Sequence, residues 1–178
     1  MRKKIAIILI SSISLFSISA EDNSSSLYLG VDLGYLDPIF NGTIYNQIVP
    51  KINVVEGLDL DLAINLVIPK DKTYDSLSLG SVLNLNYYPF DNGLFFSFSL
   101  FDIAYVFGND APLDRLNFLN QLGLGYSIYK GRFSFEPSLV FINPNGVYDE
   151  TVAELSNSLG TYPFIRFQFL LSYKICDF

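Results

Sequence analysis

The sequence contains no histidine and only one cysteine, Cys176, among its 178 residues. Without histidine, neither a Ser/His nor a Cys/His catalytic arrangement can form, and a typical zinc site loses one of its two main ligands. A single cysteine also excludes a disulfide within the chain. We therefore expect a protein that is not an enzyme and has no cofactor or metal site. Its fold must be held by hydrogen-bond ladders and burial.

Charged residues are scarce, at 16% of the sequence against about a quarter in typical soluble domains, and positive charge is the scarcer sign. There are 11 Lys and Arg against 18 Asp and Glu, and three of the positive residues are Arg2, Lys3 and Lys4. Removing these three leaves 8 positive against 18 negative residues, which is a net charge of −10. Because nucleic acid rewards basic patches, we expect no nucleic-acid partner.

Residues 1–20 have the pattern of a cleaved secretory signal peptide. The positive start is followed by the mostly apolar stretch Ile5–Phe16 and then by small residues, so that we expect a cut after Ser19 or Ala20. The apolar stretch is too short to cross a membrane as a helix, and the alternative is a buried N-terminal helix. No cysteine lies directly after it, so a lipid-modified N-terminus is not expected. The predicted organisation is a signal peptide over 1–20 and one mature domain over 21–178.

After residue 20 no apolar run approaches the roughly 18 residues of a membrane helix, although half of all residues are hydrophobic. The hydrophobic residues instead alternate with others, most clearly over Leu58–Ile68, where Leu or Ile occupies every even position. A period of two indicates a β-strand, because successive side chains of an extended chain point to opposite faces. The stretch is also long for a soluble strand, and it matches the roughly 9–11 residues that a tilted strand needs to cross a bilayer.

The same alternation predicts eight strands along the chain. They are Ser26–Leu36, Ile44–Val55, Leu58–Ile68, Leu77–Tyr87, Leu94–Leu100, Phe118–Ile128, Phe133–Phe141 and Ile165–Ile175. Proline cannot donate to a ladder, so Pro50 predicts a bulge in the second strand and Pro137 weakens the pairing of the seventh. The phase of the fifth strand would carry Asp102 to the apolar face, so we expect a bulge or the membrane edge near Phe101.

The connections between the predicted strands alternate in length. Those after the first, third, fifth and seventh strands are long, and those after the second, fourth and sixth are tight. Bacterial outer-membrane barrels have an even number of strands, short periplasmic turns and longer extracellular loops. The predicted fold is therefore all-β, an eight-stranded antiparallel up-and-down transmembrane β-barrel. Its predicted location is the bacterial outer membrane, with the longer loops outside.

In this pattern the chain resembles the small eight-stranded outer-membrane barrel proteins of bacteria with two membranes. The resemblance covers residues 27–178 and implies two partners, outer-membrane lipid and the barrel assembly machinery. Proteins of that group typically end in a strand whose last residue is aromatic, which the machinery reads. Phe178 is aromatic but out of phase with the outward set Ile165–Ile175, so the signal requires a bulge near Cys176 and Asp177.

Alternation alone does not say which face lies inside, so a soluble eight-stranded barrel of the lipocalin type is the rival fold. The polar face of the predicted strands consists of Gly, Ser, Asn and Gln with few charges. A solvated surface would be richer in Lys, Glu and Thr, whereas small polar residues suit the cramped interior of an eight-stranded barrel. The composition of this face therefore favours the membrane barrel.

Seven charged residues are expected on the inward face. They are Asp32, Lys51, Asp59, Asp61, Glu136, Arg166 and Lys174. A carboxylate pair such as Asp59 and Asp61 could serve as acid and base. Charges that pair with one another to fill a narrow lumen are the preferred interpretation, because buried charges are tolerated when paired.

Two contacts among these charges are predicted from strand pairing. A three-residue loop over residues 55–57, with glycine at its left-handed last position, would pair Val54 with Leu58 and place Lys51 opposite Asp61. Closure of the last strand onto the first could also bring Arg166 or Lys174 within reach of Asp32.

These features indicate a structural or surface-interaction role carried by extracellular loops. The alternative is transport or binding of a small solute in the lumen. The fourth long loop, Asn143–Pro163, could meet an extracellular ligand, although a solvated loop without function is the simpler interpretation. The aromatic clusters Tyr87–Tyr88 and Tyr126 with Tyr129 are interpreted as membrane-interface girdles.

Overall fold

The computed structural model describes residues 25–33, 43–69, 71, 76–108, 116–159 and 164–178. The predicted signal peptide, and parts of the predicted first strand and long loops, lie outside these residues. In the described part the chain forms ten strand segments and one helix. They are β1 (Ser26–Asp32), β2 (Thr43–Val55), β3 (Leu58–Pro69), β4 (Ser76–Tyr87), β5 (Leu94–Gly108), β6 (Leu116–Phe118), β7 (Gln121–Tyr126), β8 (Ile128–Lys130), β9 (Phe133–Ile142), α1 (Asp149–Leu159) and β10 (Ile165–Asp177).

The strands form one antiparallel sheet that closes into a ring. From β1 to β5 each strand pairs with the next, β5 pairs with β6 and β7, and β7 and β8 both pair with β9. The last strand, β10, pairs with both β9 and β1, which closes the ring. The prediction of an all-β antiparallel fold is therefore confirmed. No helix of the described part is long and apolar enough to cross a membrane.

The predicted sixth strand is present as three consecutive segments, β6, β7 and β8. The break between β7 and β8 lies opposite Pro137, since the ladder to β9 stops at Gly125–Ser138 and resumes at Ile128–Phe135 without a change of register. Proline offers no N–H to this ladder, so the predicted weakness at Pro137 is confirmed on this side. On the other side β9 pairs with β10 through Pro137 without a break. The bulge predicted at Pro50 is wrong, because β2 keeps one register with β3 on both sides of it.

A bulge in β5 brings Asp102 inside the ring. The register between β4 and β5 shifts so that Leu83 pairs with Phe101 and Asn84 with Ser99, which leaves Leu100 unpaired. Leu100 and Phe101 are both exposed on the outside, whereas Asp102 is buried. The extra residue reverses the alternation, as expected for a bulge. The predicted irregularity near Phe101 is confirmed.

A second bulge lies near the end of β10. Leu27 pairs with Cys176 and Tyr28 with Lys174, so Ile175 is the additional residue. Phe178 follows Cys176 by two residues and therefore shares the outward face of Leu27. The bulge that the phase of Phe178 required is present.

The two faces of the ring differ sharply in composition. Large hydrophobic side chains are exposed on the outside of every strand of the ring; examples are Leu29, Ile48, Ile68, Leu77, Phe98, Leu122, Phe133 and Phe167. The inside carries buried polar residues; examples are Asn65, Ser78, Ser81, Asn86, Gln121, Ser134 and Ser172. The predicted inward and outward sets thus occupy opposite faces, with the apolar set outside.

The tight turns lie at one end of the ring, which we call the turn end, and the opposite end is called the loop end. Gly57, Gly93 and Gly131 occupy these turns with φ values of 76°, 89° and 63°. Such values favour glycine, which has no Cβ to clash in the left-handed region. The predicted glycine conformation in the turn between β2 and β3 is confirmed at Gly57.

The helix α1 covers the loop end of the ring, and this feature is missed by the sequence interpretation of Asn143–Pro163 as a surface or solvated loop. Val152, Leu155 and Leu159 recur at helical spacing, and Leu155 and Leu159 are fully buried. They share an apolar cluster with residues at the loop ends of the strands, Val67, Val106 and Ile142 among them. The acidic residues Asp149 and Glu150 in the first turn favour the helix by interacting with its dipole.

Replacing Leu155 by alanine is expected to destabilise the fold by about 2–5 kcal/mol, because it opens a cavity in a fully buried site. Asn157→Ala is the matched control, since Asn157 is exposed on the same helix. Urea unfolding of both variants in detergent, followed by circular dichroism, measures the difference. Equal stability of the two variants would contradict a packed helix at the loop end.

Candidate functional site

Six of the seven predicted interior charges are buried inside the ring. Lys51, Arg166 and Glu136 are among its most deeply buried side chains, with 0%, 1% and 2% of their surfaces exposed, and Asp32, Asp59 and Asp61 are also buried. They form two groups, one around Lys51 towards the turn end and one around Arg166 towards the loop end. Lys174 belongs to neither group.

The Lys51 group joins strands from opposite sides of the ring. Lys51 Nζ lies 3.3 Å from Asp59 Oδ2 on the neighbouring strand and forms a second ion pair with Glu136 Oε1 on β9. Asn53 Nδ2 donates to the other carboxylate oxygen of Asp59 at 2.8 Å. A charged hydrogen bond of this kind is stronger than a neutral one, so the group ties β2 to β3 and, across the interior, to β9.

The predicted pairing of Lys51 with Asp61 is confirmed as a strand register, but Asp61 is not the closest partner of the ammonium group. The turn itself also differs, since Val55 rather than Val54 pairs with Leu58, and Val54 is the bulge residue. Asp61 Oδ2 accepts a hydrogen bond from Asn86 Nδ2 at 2.5 Å. The ammonium group therefore faces Glu136 and Asp59, while Asp61 faces β4.

Two tyrosines cover the Lys51 group at the turn end. Tyr88 packs against the buried ring of Phe95 at 5.3 Å and lies 3.2 Å from the hydroxyl of Ser127. Burial raises the pKa of the Tyr88 phenol, so its hydroxyl stays protonated. The Tyr129 ring lies 6.0 Å from Lys51 Nζ, at the limit of a cation–π contact. The girdle interpretation of Tyr88 is wrong, because its side chain turns inward, whereas Tyr87 is exposed.

The second group centres on Arg166. Arg166 Nη1 lies 3.8 Å from Asp32 Oδ2. Asp32 Oδ1 accepts a 3.0 Å hydrogen bond from the backbone N–H of Phe169. Asp102 accepts a 2.8 Å hydrogen bond from Gln121 Nε2. The sequence interpretation omits Asp102 from the interior charges, although the phase break at Phe101 was the signal that could have included it.

Closure of the ring brings Arg166, and not Lys174, to Asp32. Lys174 is partly exposed, and its Nζ lies 2.5 Å from Asp177 Oδ1 near the end of β10. Asp177 Oδ1 also accepts a 2.6 Å hydrogen bond from Ser26 Oγ. Lys174 thus pairs with Asp177 on its own strand instead of filling the interior, and Asp177 in turn bonds to Ser26 across the seam between β10 and β1.

Side chains nearly fill the ring. One enclosed cavity of about 30 Å³ lies between the two charged groups, and a more open pocket of about 540 Å³ lies at the turn end. The enclosed cavity has room for a water molecule or two. The open pocket is lined by the carboxylates Glu56, Asp59 and Asp91 and by aromatic rings, those of Tyr88 and Tyr129 among them.

The chemistry of the site is that of buried ion pairs. Within the described ranges, no group of three or more His, Cys, Asp and Glu side chains is arranged to hold a metal ion. Comparisons with protein-family models, with curated protein sequences and with solved structures return no match to this chain.

Proposed function

We propose that this protein is an eight-stranded barrel of the bacterial outer membrane with a structural or surface-interaction role. The observation that carries the proposal is the outer face of the ring. Hydrophobic side chains exposed there occur on every strand; on β5 and β7, Phe98, Leu100, Leu122 and Leu124 are each at least 40% exposed. Soluble monomers rarely expose apolar patches larger than a few hundred Å², whereas a lipid-facing band has this composition.

The strand count and the connections support the same proposal. Taken as one interrupted strand, β6, β7 and β8 bring the number of strands around the ring to eight, an even number. The connection between β2 and β3 is a tight turn at residues 56–57, and that between β8 and β9 is one at residues 131–132. We place the turn end in the periplasm and the loop end, with α1, outside.

The distribution of polar residues argues against the soluble lipocalin-like alternative. A soluble barrel of that type keeps its apolar side chains inside and its polar ones in water. Here the interior holds Lys51, Arg166 and their carboxylates, all buried, and the large apolar residues point outward. Putting the apolar face in water would expose it at a cost of roughly 25 cal/mol for each Å².

A filled interior favours a structural role over transport. The enclosed cavity of about 30 Å³ is too small for an organic solute, and eight strands leave an interior that side chains just fill. The open pocket of about 540 Å³ supports a second candidate function, binding of a small solute at the turn end. The loop end, closed by α1, is the surface that we assign to contacts outside the cell.

Fractionation of cells that express the full chain tests the location. We expect the protein in the outer-membrane fraction, resistant to extraction by salt, with a gel mobility that changes on boiling. A freely soluble periplasmic protein with unchanged mobility would refute the proposal.

Planar bilayers containing the refolded protein separate the structural role from transport through the interior. We expect no large steady conductance, because the interior is filled and α1 covers the loop end. Removing residues 149–159 opens that end but leaves both charged groups in place, so it should not by itself create a pore. A large steady conductance of the unaltered protein would overturn the structural role.

A further inference from the structure

The Lys51 group has more negative than positive charge in a buried place. Three carboxylates, those of Asp59, Asp61 and Glu136, lie near Lys51, all with 7% or less of their surface exposed. Its two ion pairs are with Asp59 and Glu136. Asp61 is left without a direct ion pair, and a buried charge of this kind is costly unless something neutralises it.

One oxygen of Asp61 has no partner among the described residues. Asp61 Oδ2 accepts a hydrogen bond from the side-chain amide of Asn86, but Asp61 Oδ1 is buried and receives no hydrogen bond. Native proteins seldom leave a buried carboxylate oxygen in this state. The side chain of Asp61 lines the enclosed cavity of about 30 Å³.

The other groups around this cavity are rich in oxygen. Besides Asp61 they include Glu136, Asn84, Asn86, Ser97 and Gln121. The side-chain nitrogen of Gln121 donates to Asp102, and that of Asn86 donates to Asp61. The amide oxygens of Gln121 and Asn86 therefore remain as acceptors. Hard cations take carboxylate and amide oxygens as ligands.

We infer that this cavity binds one sodium ion, with Asp61 Oδ1 as its charged ligand. A singly charged ion fits because, among the carboxylates that line the cavity, only Asp61 Oδ1 lacks a hydrogen-bond partner. No group of three or more His, Cys, Asp and Glu side chains of the described residues is arranged to hold a metal ion, as divalent sites typically require. The ion would neutralise Asp61 and leave Lys51 to Asp59 and Glu136. The inference concerns stability of the ring interior and is independent of where the protein lies in the cell.

Unfolding of the full chain in detergent at constant ionic strength tests the inference. Urea midpoints are measured as sodium chloride replaces choline chloride, whose cation is too large for the cavity. Above the dissociation constant, each tenfold rise in sodium should raise the ratio of folded to unfolded protein about tenfold. Constant ionic strength keeps the screening of other charges unchanged.

Asp61→Asn should abolish this dependence on sodium, and Asp91→Asn, at an exposed turn residue, should keep it. If Asp61→Asn does not fold, Asn84→Ala takes its place and should weaken the dependence. The width of the sodium NMR resonance reports binding directly. The unaltered protein should broaden this resonance, and Asp61→Asn should not. Equal urea midpoints in sodium and choline, or an undiminished sodium response in Asp61→Asn, would overturn the inference. Equal midpoints would indicate that a proton, and not a sodium ion, neutralises Asp61.

Discussion

Replacing Lys51 by methionine is expected to destabilise the protein by about 3–5 kcal/mol, the largest loss that we expect from a single interior change. Methionine has a similar volume but no charge, so Glu136 and Asp59 lose the ammonium group that both of them contact. Two carboxylates would then remain buried without their counter-charge. Urea unfolding in detergent, with Lys130→Met at the exposed last residue of β8 as the matched control, measures the loss.

The double variant Lys51→Met with Glu136→Gln tests whether the ion pair is the cause. Removing one of the two unpaired carboxylates should recover part of the lost stability, so the effects of the two changes should be non-additive. The structure directs this cycle to Glu136 rather than to Asp61, the partner that strand register alone would select. Strictly additive losses, or a loss near the ~1 kcal/mol of an exposed pair, would contradict a close ion pair in a dry interior.

Replacing Leu122 by arginine is expected to destabilise the protein in bilayers by about 2–4 kcal/mol, if Leu122 lies near the midplane of the membrane. Leu122 is 40% exposed on the outside of β7, between Phe98 of β5 and Phe141 of β9. A charge at this depth loses its hydration, since lipid tails offer no hydrogen bonds.

The same substitution near the turn end provides the control. Ile128 is also exposed but lies on the short segment next to the turn, where arginine should cost only about 0–1 kcal/mol because it reaches the interface. Equilibrium unfolding in lipid vesicles gives both values. If Leu122→Arg stays within about 0.5 kcal/mol of the unaltered protein, its side chain behaves as an ordinary water-exposed one and the membrane proposal fails.

Features that depend on neighbours along the chain could be predicted from the sequence. Alternation over Leu58–Ile68 identified a strand because side-chain direction in an extended chain has a fixed period. The position of Asp102 predicted a bulge, since a charge would otherwise face outward. The register that places Lys51 opposite Asp61 was predicted from an odd-length loop ending at Gly57, and the chain reaches it with a shorter turn and a bulge at Val54.

Features that depend on closure of the ring could not be predicted in this way. Glu136 reaches Lys51 from β9, which is not hydrogen-bonded to β2, so no rule of adjacent strands connects them. The turn-end Tyr88 turns inward after the last residue of β4, where the strand period no longer applies. The helix α1 is short and polar in composition. Its three large apolar residues, Val152, Leu155 and Leu159, become buried, Val152 in part, only because apolar side chains at the loop ends of the strands lie beneath them.

Tryptophan fluorescence in brominated lipid tests the central claim, that the apolar outer face meets lipid, most directly. The sequence has no tryptophan, so a single substitution introduces the only tryptophan whose fluorescence is measured. Leu122→Trp places the indole on the outer face of β7, and Asn145→Trp places it at an exposed residue of the loop end. After refolding into vesicles with brominated acyl chains, we predict strong quenching for Leu122→Trp and little for Asn145→Trp. Emission that bromine leaves unchanged in both variants would contradict the account.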